Sequence, residues 1–221
     1  NYNFRNLDKA LLKAGVKKIN RAIFDLGLSS DQLEQSGRGF SFQKDEPLLM
    51  TFSDKPKKGE LTAETIVNRW EEENIALIIK SYGEERFAGC IAKAIVAARP
   101  IRSSRQLAEI IRLAVPARMR FGKIHPATKT FQAIRMAVND ELNALSEGLA
   151  KAWSYLDKEG HLAVISFHSL EDRIVKRFMR QKAATSQGRI LTKKPIRPNA
   201  EEILKNPRSR SAKLRLIEKN G

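Results

Sequence analysis

The sequence predicts an α/β protein with a mainly parallel sheet that is interrupted by an inserted all-helical domain. Apolar strand-like runs alternate with amphipathic helices in both the N-terminal and the C-terminal parts of the 221-residue chain, whereas residues 62–116 have helical periodicity throughout. Alternation of strands and helices is typical of parallel sheets, because each helix returns the chain to the same end of the sheet. We therefore expect a sheet core formed by residues 1–41 and 124–221, and a helical insertion at residues 42–123.

The N-terminal part predicts one short helix and one strand. Asp8 is placed to cap a helix over residues 8–14. Residues 19–27 are typical of a buried strand whose apolar run ends at Asp25 and Gly27. An acidic residue at the carboxyl end of such a strand lies where open α/β sheets bind ligands. Asp25 is therefore a candidate ligand-binding residue, although a turn in which its side chain binds nearby backbone N–H groups explains it equally well.

The middle of the chain predicts several consecutive helices. Apolar residues recur there at spacings of three and four, and capping residues or prolines separate the periodic segments. A first helical segment is expected to start at Thr62 and to end at Gly83 as its C-cap, and a further helix spans residues 84–98. Ser103 or Ser104 is the expected N-cap of the next helix, which ends before Pro116.

The C-terminal part predicts a return to strands and helices. Residues 125–156 form one long helix, or two helices with a break, because apolar residues follow one face. A strand over residues 161–167 leads directly into a helix over residues 169–179, for which Ser169 is the predicted N-cap. Alternating apolar and basic residues at 212–216 predict a last edge strand.

The charge balance indicates a polyanionic partner. There are 41 Lys and Arg against 25 Asp and Glu, which gives a net charge of +16. Nucleic acid is favoured over a membrane, because no apolar run reaches the roughly 20 residues of a spanning helix. The single cysteine, Cys90, excludes a disulfide framework and suits the cytoplasm. The three histidines lack metal-ligand spacing, so no metal site is expected.

Two further stretches carry candidate functional residues. His168 and Ser169 lie between the predicted strand and helix, on the same sheet edge as Asp25, and all three are candidate catalytic residues. A helix cap and a structural histidine are the simpler interpretation of the first two. Cations near two helices are candidate RNA contacts: His125, Lys129 and Arg135 in one, and Arg173, Lys176 and Arg177 in the other.

Six blocks occur in order along the chain: FDLGLSSDQL, GRGFSF, YGEERFA, HPATKTFQAIRMAVNDEL, SFHSLEDRIVKRFM and NPRSRSAKLR. Together they closely resemble the bacterial small-subunit ribosomal RNA (cytosine-N4)-methyltransferase family, from about residue 3 to residue 215. The resemblance implies a Rossmann-like class I methyltransferase core with S-adenosyl-L-methionine as the cofactor. It also implies a substrate, the N4 amine of a decoding-centre (P-site) cytosine in 16S ribosomal RNA or the small ribosomal subunit.

The resemblance also suggests roles for individual residues. By analogy with the family, Phe4 packs beside the cofactor, and Asp25 and Gln32 contact it. His168 and its neighbours would form a wall on the substrate side of the pocket. Asp25, or a carbonyl just after it, would orient the target amine, because the D/N/S-P-P-Y/W block common in amine methyltransferases is missing from this strand end.

Two departures from the family pattern affect these expectations. The family's glycine-rich loop and the acidic residue that binds the ribose both precede the first matching block, and the 221 residues contain no counterpart. We therefore expect this chain to bind cofactor weakly or not at all. In addition, Leu49 and Thr51 occupy positions where the family usually has an acidic residue and an arginine.

Other functions remain open from the sequence. The main alternative is a non-catalytic RNA-binding or ribosome-associated factor built on the same scaffold, which the missing glycine-rich loop favours. A weaker alternative is a helical protein-interaction domain, which predicts an exposed apolar stripe along residues 62–116. The oligomeric state is not determined by the sequence, and a homodimer is one option.

Overall fold

The computed structural model describes residues 2–29, 35–122 and 124–221. The chain divides into two compact units: a sheet unit, Asn1–Gly27 with Glu141–Gly221, and a helical unit, Leu28–Asp140. The bounds differ from those expected from the sequence, which assign residues 28–41 and 124–140 to the sheet core. Both stretches contribute to the core of the helical unit, where Phe40 and Phe131 are buried.

The elements follow the predicted alternation. The strands are β1 (Ile19–Asp25), β2 (Leu156–Ser166), β3 (Gly188–Ile190) and β4 (Lys213–Lys219). The α-helices are α1 (Leu7–Lys13), α2 (Ala63–Arg69), α3 (Glu72–Gly83), α4 (Ala88–Ala97), α5 (Ser104–Ala114), α6 (Ala127–Asn139), α7 (Glu141–Tyr155), α8 (Ser169–Ala184) and α9 (Ala200–Lys205).

The described strands form one mixed sheet in the order β1-β2-β4-β3. Strands β1 and β2 are parallel, as predicted, whereas β4 runs antiparallel to both of its neighbours. The prediction that the last strand lies at an edge is wrong. Strand β3 pairs with the far side of β4, and a three-residue strand is too short to produce a periodic signal in the sequence.

One face of the sheet carries the core of the sheet unit. Phe24 of β1, Val164 of β2 and Ile217 of β4 are buried there, and they cluster with Leu149 of α7 and Val175 of α8. Buried and less buried residues alternate along β2, as expected for a strand that has one face covered. The hydrophobic effect therefore fixes which face of β1 and β2 points inward.

Two predicted N-caps are confirmed, and the predicted cap at Asp8 is wrong. The hydroxyls of Thr62 and Ser103 accept backbone N–H groups at the starts of α2 and α5, as predicted. Helix α1 instead begins at Leu7, without a side-chain cap, and Asp8 lies in its first turn. The Asp8 carboxylate accepts a hydrogen bond from Lys151 of α7 at 2.9 Å, so a tertiary contact uses the residue that was expected to cap.

Two other boundaries show how tertiary packing changes a local signal. The helical pattern over residues 125–156 is broken at Asp140, which has a φ of 48°. Gly83 is the last residue of α3 rather than its C-cap, and Glu84 adopts the left-handed conformation after it. A Cβ at Gly83 would lie 2.8 Å from the carbonyl oxygen of Lys129. This glycine therefore permits close contact between α3 and α6.

The packing of α7 on β1 depends on Gly148. A Cβ there would lie 2.8 Å from Cδ2 of Phe4 and 3.1 Å from Cε1 of Phe24. We expect Gly148→Ala to lower the free energy of unfolding by about 1–3 kcal/mol, because the added methyl overpacks the core. Gly89→Ala in α4 is the matched control, since its Cβ meets nothing within 4 Å. Urea unfolding followed by circular dichroism measures both variants, and an equal loss in the two would contradict the packing argument.

Candidate active site at the carboxyl edge of the sheet

The carboxyl ends of β1 and β2 meet at one edge of the sheet. Asp25 is in register with Ile165, one residue before the end of β2. After Asp25 the chain turns through Gly27, which has a φ of 104°, and a Cβ there would lie 3.5 Å from the ring of Phe167. The turn after β1 therefore runs directly beside the corner that precedes His168, as the parallel arrangement predicts.

The Asp25 side chain is available to a ligand. It is exposed and forms no hydrogen bond or ion pair with any other described residue. The capped-turn interpretation required its carboxylate to bind nearby backbone N–H groups, and within the described ranges the carboxylate does not. An ionised carboxylate with free oxygens can accept hydrogen bonds from an amine or a hydroxyl group.

An aromatic pair lies beside the strand that ends at Asp25. The ring of Phe4 packs edge-on against the ring of Phe24, with 5.6 Å between the centroids. Phe4 is half-buried, so part of its ring remains accessible. Gln32, the third residue expected near the cofactor, lies outside the described residues, and its role stays a prediction.

His168, rather than Ser169, is the N-cap of α8. Its Nδ1 accepts the backbone N–H of Leu170 at 3.3 Å. In return, Oε2 of Glu171 accepts the backbone N–H of His168 at 3.4 Å and that of Phe167 at 2.9 Å. The predicted cap at Ser169 is wrong because this reciprocal pair starts the helix one residue earlier. The spacing His-x-x-Glu was the available sequence signal, with histidine in the place of the usual serine or threonine.

The second nitrogen of His168 also faces protein. Nε2 is buried and lies 3.2 Å from Oε1 of Glu171, without the alignment of a hydrogen bond. Glu171 is itself 4% exposed. The imidazole therefore stiffens the corner between β2 and α8, and this geometry favours a positioning role over proton transfer to a ligand.

The basic helix α8 has two distinct sides. The candidate RNA contacts Arg173, Lys176 and Arg177 are all exposed. Asp172 points inward instead, and its carboxylate binds Arg215 of β4 at 2.7 Å. Burial raises the pKa of Asp172, but Arg215 and Lys213 together outweigh that effect and hold the pKa below its usual value.

The candidate residues of the helical unit separate into two places. His125 and Lys129 line one cavity of about 340 Å³, whereas Arg135 lines a second cavity of about 300 Å³ beside Phe40 and Phe131. The sequence predicts that His125, Lys129 and Arg135 lie together near the start of one helix. Because Arg135 lies six residues after Lys129 on α6, the two side chains project into different surroundings.

His125 is also held by local contacts. Its Nδ1 accepts the backbone N–H of Ala127 at 3.1 Å, and its ring stacks on Phe42 with 4.5 Å between centroids. Burial lowers the pKa of His125, and the positive charge of Arg112 adds to the effect. The imidazole is therefore neutral at pH 7 and supplies ring surface rather than charge.

A buried network around Arg38 was not identified from the sequence. Arg38 is 6% exposed. Its guanidinium donates to the carbonyl of Thr51 at 2.9 Å and forms an ion pair with Asp54 at 3.0 Å. The Thr51 hydroxyl donates to the carbonyl of Ser53 at 2.8 Å. Thr51 therefore stabilises its own loop. Leu49, the other residue that departs from the family pattern, is half-buried.

The described residues contain no group of three or more His, Cys, Asp or Glu side chains that could hold a metal ion. In the same part of the chain, every helix is too short or too polar to cross a bilayer.

A parallel strand pair whose connecting chain contains a helical unit fits a Rossmann-like methyltransferase. A model of the MraW methylase family matches residues 1–220. The chain belongs to this family.

Named relatives agree with that assignment. A protein of Persephonella marina is 49% identical over 98% of this chain and 74% of the relative. One from a Sulfurihydrogenibium species is 50% identical over 97% of the chain and 73% of the relative. A third, from Synechococcus elongatus, is 46% identical over 98% and 71%. All three are named ribosomal RNA small subunit methyltransferase H.

The capping role of His168 predicts different effects for two substitutions. We expect His168→Ala to lower the free energy of unfolding by about 1 kcal/mol, because α8 loses its N-cap, and His168→Asn to retain most of the stability. Ser169→Ala is the control and should change stability by less than about 0.5 kcal/mol. Urea unfolding compares the three, and a larger loss in Ser169→Ala than in His168→Ala would overturn the assignment.

The Asp172–Arg215 pair predicts a pH-dependent stability. The pKa of Asp172 is lower in the folded state than its unfolded value of about 3.9. The ionised Asp172 carboxylate therefore contributes fully to the free energy of unfolding above its unfolded pKa. This contribution is lost as the pH falls through the folded pKa. We expect Asp172→Asn to cost about 3 kcal/mol at pH 7, because Arg215, 8% exposed, loses its partner.

Urea unfolding at pH 7 and at a series of values below pH 5 tests this linkage. The wild-type chain should lose stability more steeply than Asp172→Asn as the solution becomes more acidic. Asp45→Asn, which removes an exposed acid of the helical unit, serves as the control for the change in net charge. Parallel acid profiles for wild type and Asp172→Asn would contradict the predicted contribution of this carboxylate.

Proposed function

We propose that this chain is the catalytic part of an S-adenosyl-L-methionine-dependent methyltransferase that modifies the N4 amine of a P-site cytosine in 16S ribosomal RNA. The observation that carries the proposal is the exposed carboxylate of Asp25, which has no polar partner among the described residues. It lies at the carboxyl edge of the parallel strand pair in a member of a methylase family. The names of the relatives support ribosomal RNA of the small subunit as the substrate.

The residues at this edge fit the proposed cofactor chemically. Phe4 offers an accessible aromatic surface, Asp25 offers a free hydrogen-bond acceptor, and Gly27 has no side chain to obstruct approach to the turn. Gln32 completes the proposed set. S-adenosyl-L-methionine would supply an electrophilic sulfonium methyl group.

Asp25 is also the best-placed group for handling the substrate amine. The N4 lone pair of cytosine is delocalised into the ring, so the amine must be oriented and must release one proton as the new nitrogen–carbon bond forms. The Asp25 carboxylate can accept a hydrogen bond from the amine and then take that proton, or a carbonyl just after Asp25 can orient the N–H. Its two oxygens allow it to contact the cofactor as well.

The remaining candidate residues support this chemistry indirectly. His168 holds the corner beside Asp25, because both of its ring nitrogens face the protein. The exposed cations Arg173, Lys176 and Arg177 on α8 are suited to RNA phosphates. A target base must be unpaired or flipped out for its amine to reach a pocket, so single-stranded presentation is part of the proposal.

The alternatives carry specific expectations as well. A helical protein-interaction domain would expose an apolar stripe along residues 62–116. The exposed large apolar side chains recorded there, Leu77 and Leu113, lie on different helices. The RNA-binding module remains the stronger alternative, since the net charge of +16 serves it equally well.

Methyl transfer from labelled S-adenosyl-L-methionine to small ribosomal subunits, with mass spectrometry of the digested nucleosides, tests the role of Asp25. The assay uses a fusion that restores the glycine-rich loop with the N-terminal segment of the Persephonella marina relative, because the chain alone is expected to bind the cofactor weakly or not at all. In this fusion we expect Asp25→Asn to lower the transfer rate at least about 100-fold, since the amide cannot accept the proton. Asp157→Asn, another exposed acid of the sheet unit, should leave the rate unchanged. Full activity in Asp25→Asn, or a product other than N4-methylcytidine, would refute this mechanism.

Calorimetric titration of S-adenosyl-L-methionine tests the expectation about the glycine-rich loop. The titration compares this chain with a fusion that carries the N-terminal segment of the Persephonella marina relative. We expect tighter binding to the fusion, because the loop and its acidic residue would contact the cofactor directly. If neither protein binds the cofactor while both bind small-subunit RNA, the RNA-binding module replaces the enzyme.

A further inference from the structure

The segment between α5 and α6 exposes several large apolar side chains. Phe121 is 86% exposed, Ile124 is 59% exposed and Met119 is 37% exposed. A single exposed leucine needs no explanation in a folded protein, but an almost completely exposed phenylalanine next to other apolar groups is typical of a binding surface. We define the aromatic patch as Arg118, Met119, Phe121 and Ile124.

The patch lies within a strongly basic stretch of sequence. Residues 110–139 contain no Asp or Glu. The cations of this stretch are Arg112, Arg118, Arg120, Lys123, Lys129 and Arg135. Glu84 and Glu85, which precede this stretch in the chain, line the same cavity as Met119 and Ile124. A local excess of positive charge beside an exposed aromatic ring favours a polyanionic partner over an apolar protein surface.

The nearest acidic groups are already engaged. Glu85 lies 3.9 Å from Nζ of Lys129, and its Oε1 accepts the backbone N–H of Phe87. Glu109 forms a close ion pair with Arg112. These contacts leave the positive charge of Arg118 uncompensated among the described residues, since its side chain is exposed and forms no hydrogen bond or ion pair there.

The patch is also anchored to the helical unit. The Arg120 guanidinium donates to the carbonyls of Val115 and Leu113, at 3.1 and 3.0 Å, and ties the segment back to the end of α5. Met119 contacts Nη2 of Arg86 at 3.2 Å and lines the same 340 Å³ cavity as Lys129. The exposed ring of Phe121 therefore follows directly after two residues that are held by contacts with α5 and with Arg86.

We propose that Phe121 is a stacking platform for an unpaired base of single-stranded RNA, with Arg118 and Lys129 contacting the flanking phosphates. An exposed aromatic ring offers stacking to any base, and the neighbouring cations neutralise the phosphate backbone. The inference rests on the proposed RNA substrate, but not on the cofactor or on Asp25. It gives the helical unit a contact with an RNA base that involves no residue of the sheet edge.

Fluorescence anisotropy with a short, labelled, unstructured RNA tests the proposal in the whole chain. We expect Phe121→Ala to weaken binding about tenfold, Phe121→Leu to weaken it nearly as much, and Phe121→Trp to preserve it. Leu204→Ala is the matched control, because Leu204 is an apolar residue 83% exposed in α9. The loss should be much smaller with a duplex RNA, whose bases are already stacked.

The salt dependence separates stacking from charge. Arg118→Gln should lower the slope of log affinity against log salt by about 0.7, the value for one phosphate contact on a single strand. Phe121→Ala should leave this slope unchanged. Circular dichroism confirms that each variant is folded, which is expected because both side chains are exposed.

Three outcomes would overturn the proposal. The first is equal RNA affinity of wild type and Phe121→Ala, and the second is full affinity in Phe121→Leu, which would indicate apolar contact without stacking. The third is binding to phosphatidylglycerol vesicles that depends on Phe121 while RNA binding does not. If RNA binding depends on Phe121 while the fusion that carries the N-terminal segment transfers no methyl group, the stacking proposal is supported and only the proposed enzyme is refuted.

Discussion

Parallel pairing of β1 with β2 places the chain that leaves each strand at the same edge of the sheet. The register joins Phe24 to Val164 and Asp25 to Ile165. Both Phe24 and Val164 are buried, and a shift of one residue would turn either strand's apolar side chains to the opposite face. The carboxylate of Asp25 and the corner at His168 are therefore brought together by backbone pairing that the core enforces, without direct contact between the two side chains.

Two neighbouring acids at the start of α8 stabilise that corner in different ways. Glu171 is buried and accepts backbone N–H groups from the turn after β2. Asp172, one residue later, binds Arg215 in the middle of the sheet. Negative charge in the first helical turn is also favoured by the helix dipole. A single turn of helix thereby connects β2, β4 and the edge that carries Asp25.

The large positive charge is distributed unevenly over the molecule. Arg215, Lys213 and Lys151 pair with acids of the sheet unit and contribute to its structure. Lys176 and Arg177 of α8, and Arg118 in the acid-free stretch at residues 110–139, are instead exposed cations. These exposed cations are the part of the positive charge that faces solvent, where it can attract an RNA partner.

The sequence by itself determined the type and order of the principal elements, the helix start at Thr62, and the family to which the chain belongs. It narrowed the next N-cap to Ser103 or Ser104, and the structure shows Ser103. Those features depend on hydrogen bonds and periodicities within a few residues, which the sequence contains directly. It also placed Asp25 at a strand end, although it could not decide between a capped turn and a free carboxylate.

The tertiary structure decided the features that depend on distant partners. It placed β4 inside the sheet, used Gly83 for contact with α6, and divided His125 and Lys129 from Arg135. It also placed Leu28 and Phe40 in or against the core of the helical unit rather than in the sheet unit. Each of these outcomes is set by which surfaces become buried against each other, and burial is a property of the packed chain that no local pattern specifies.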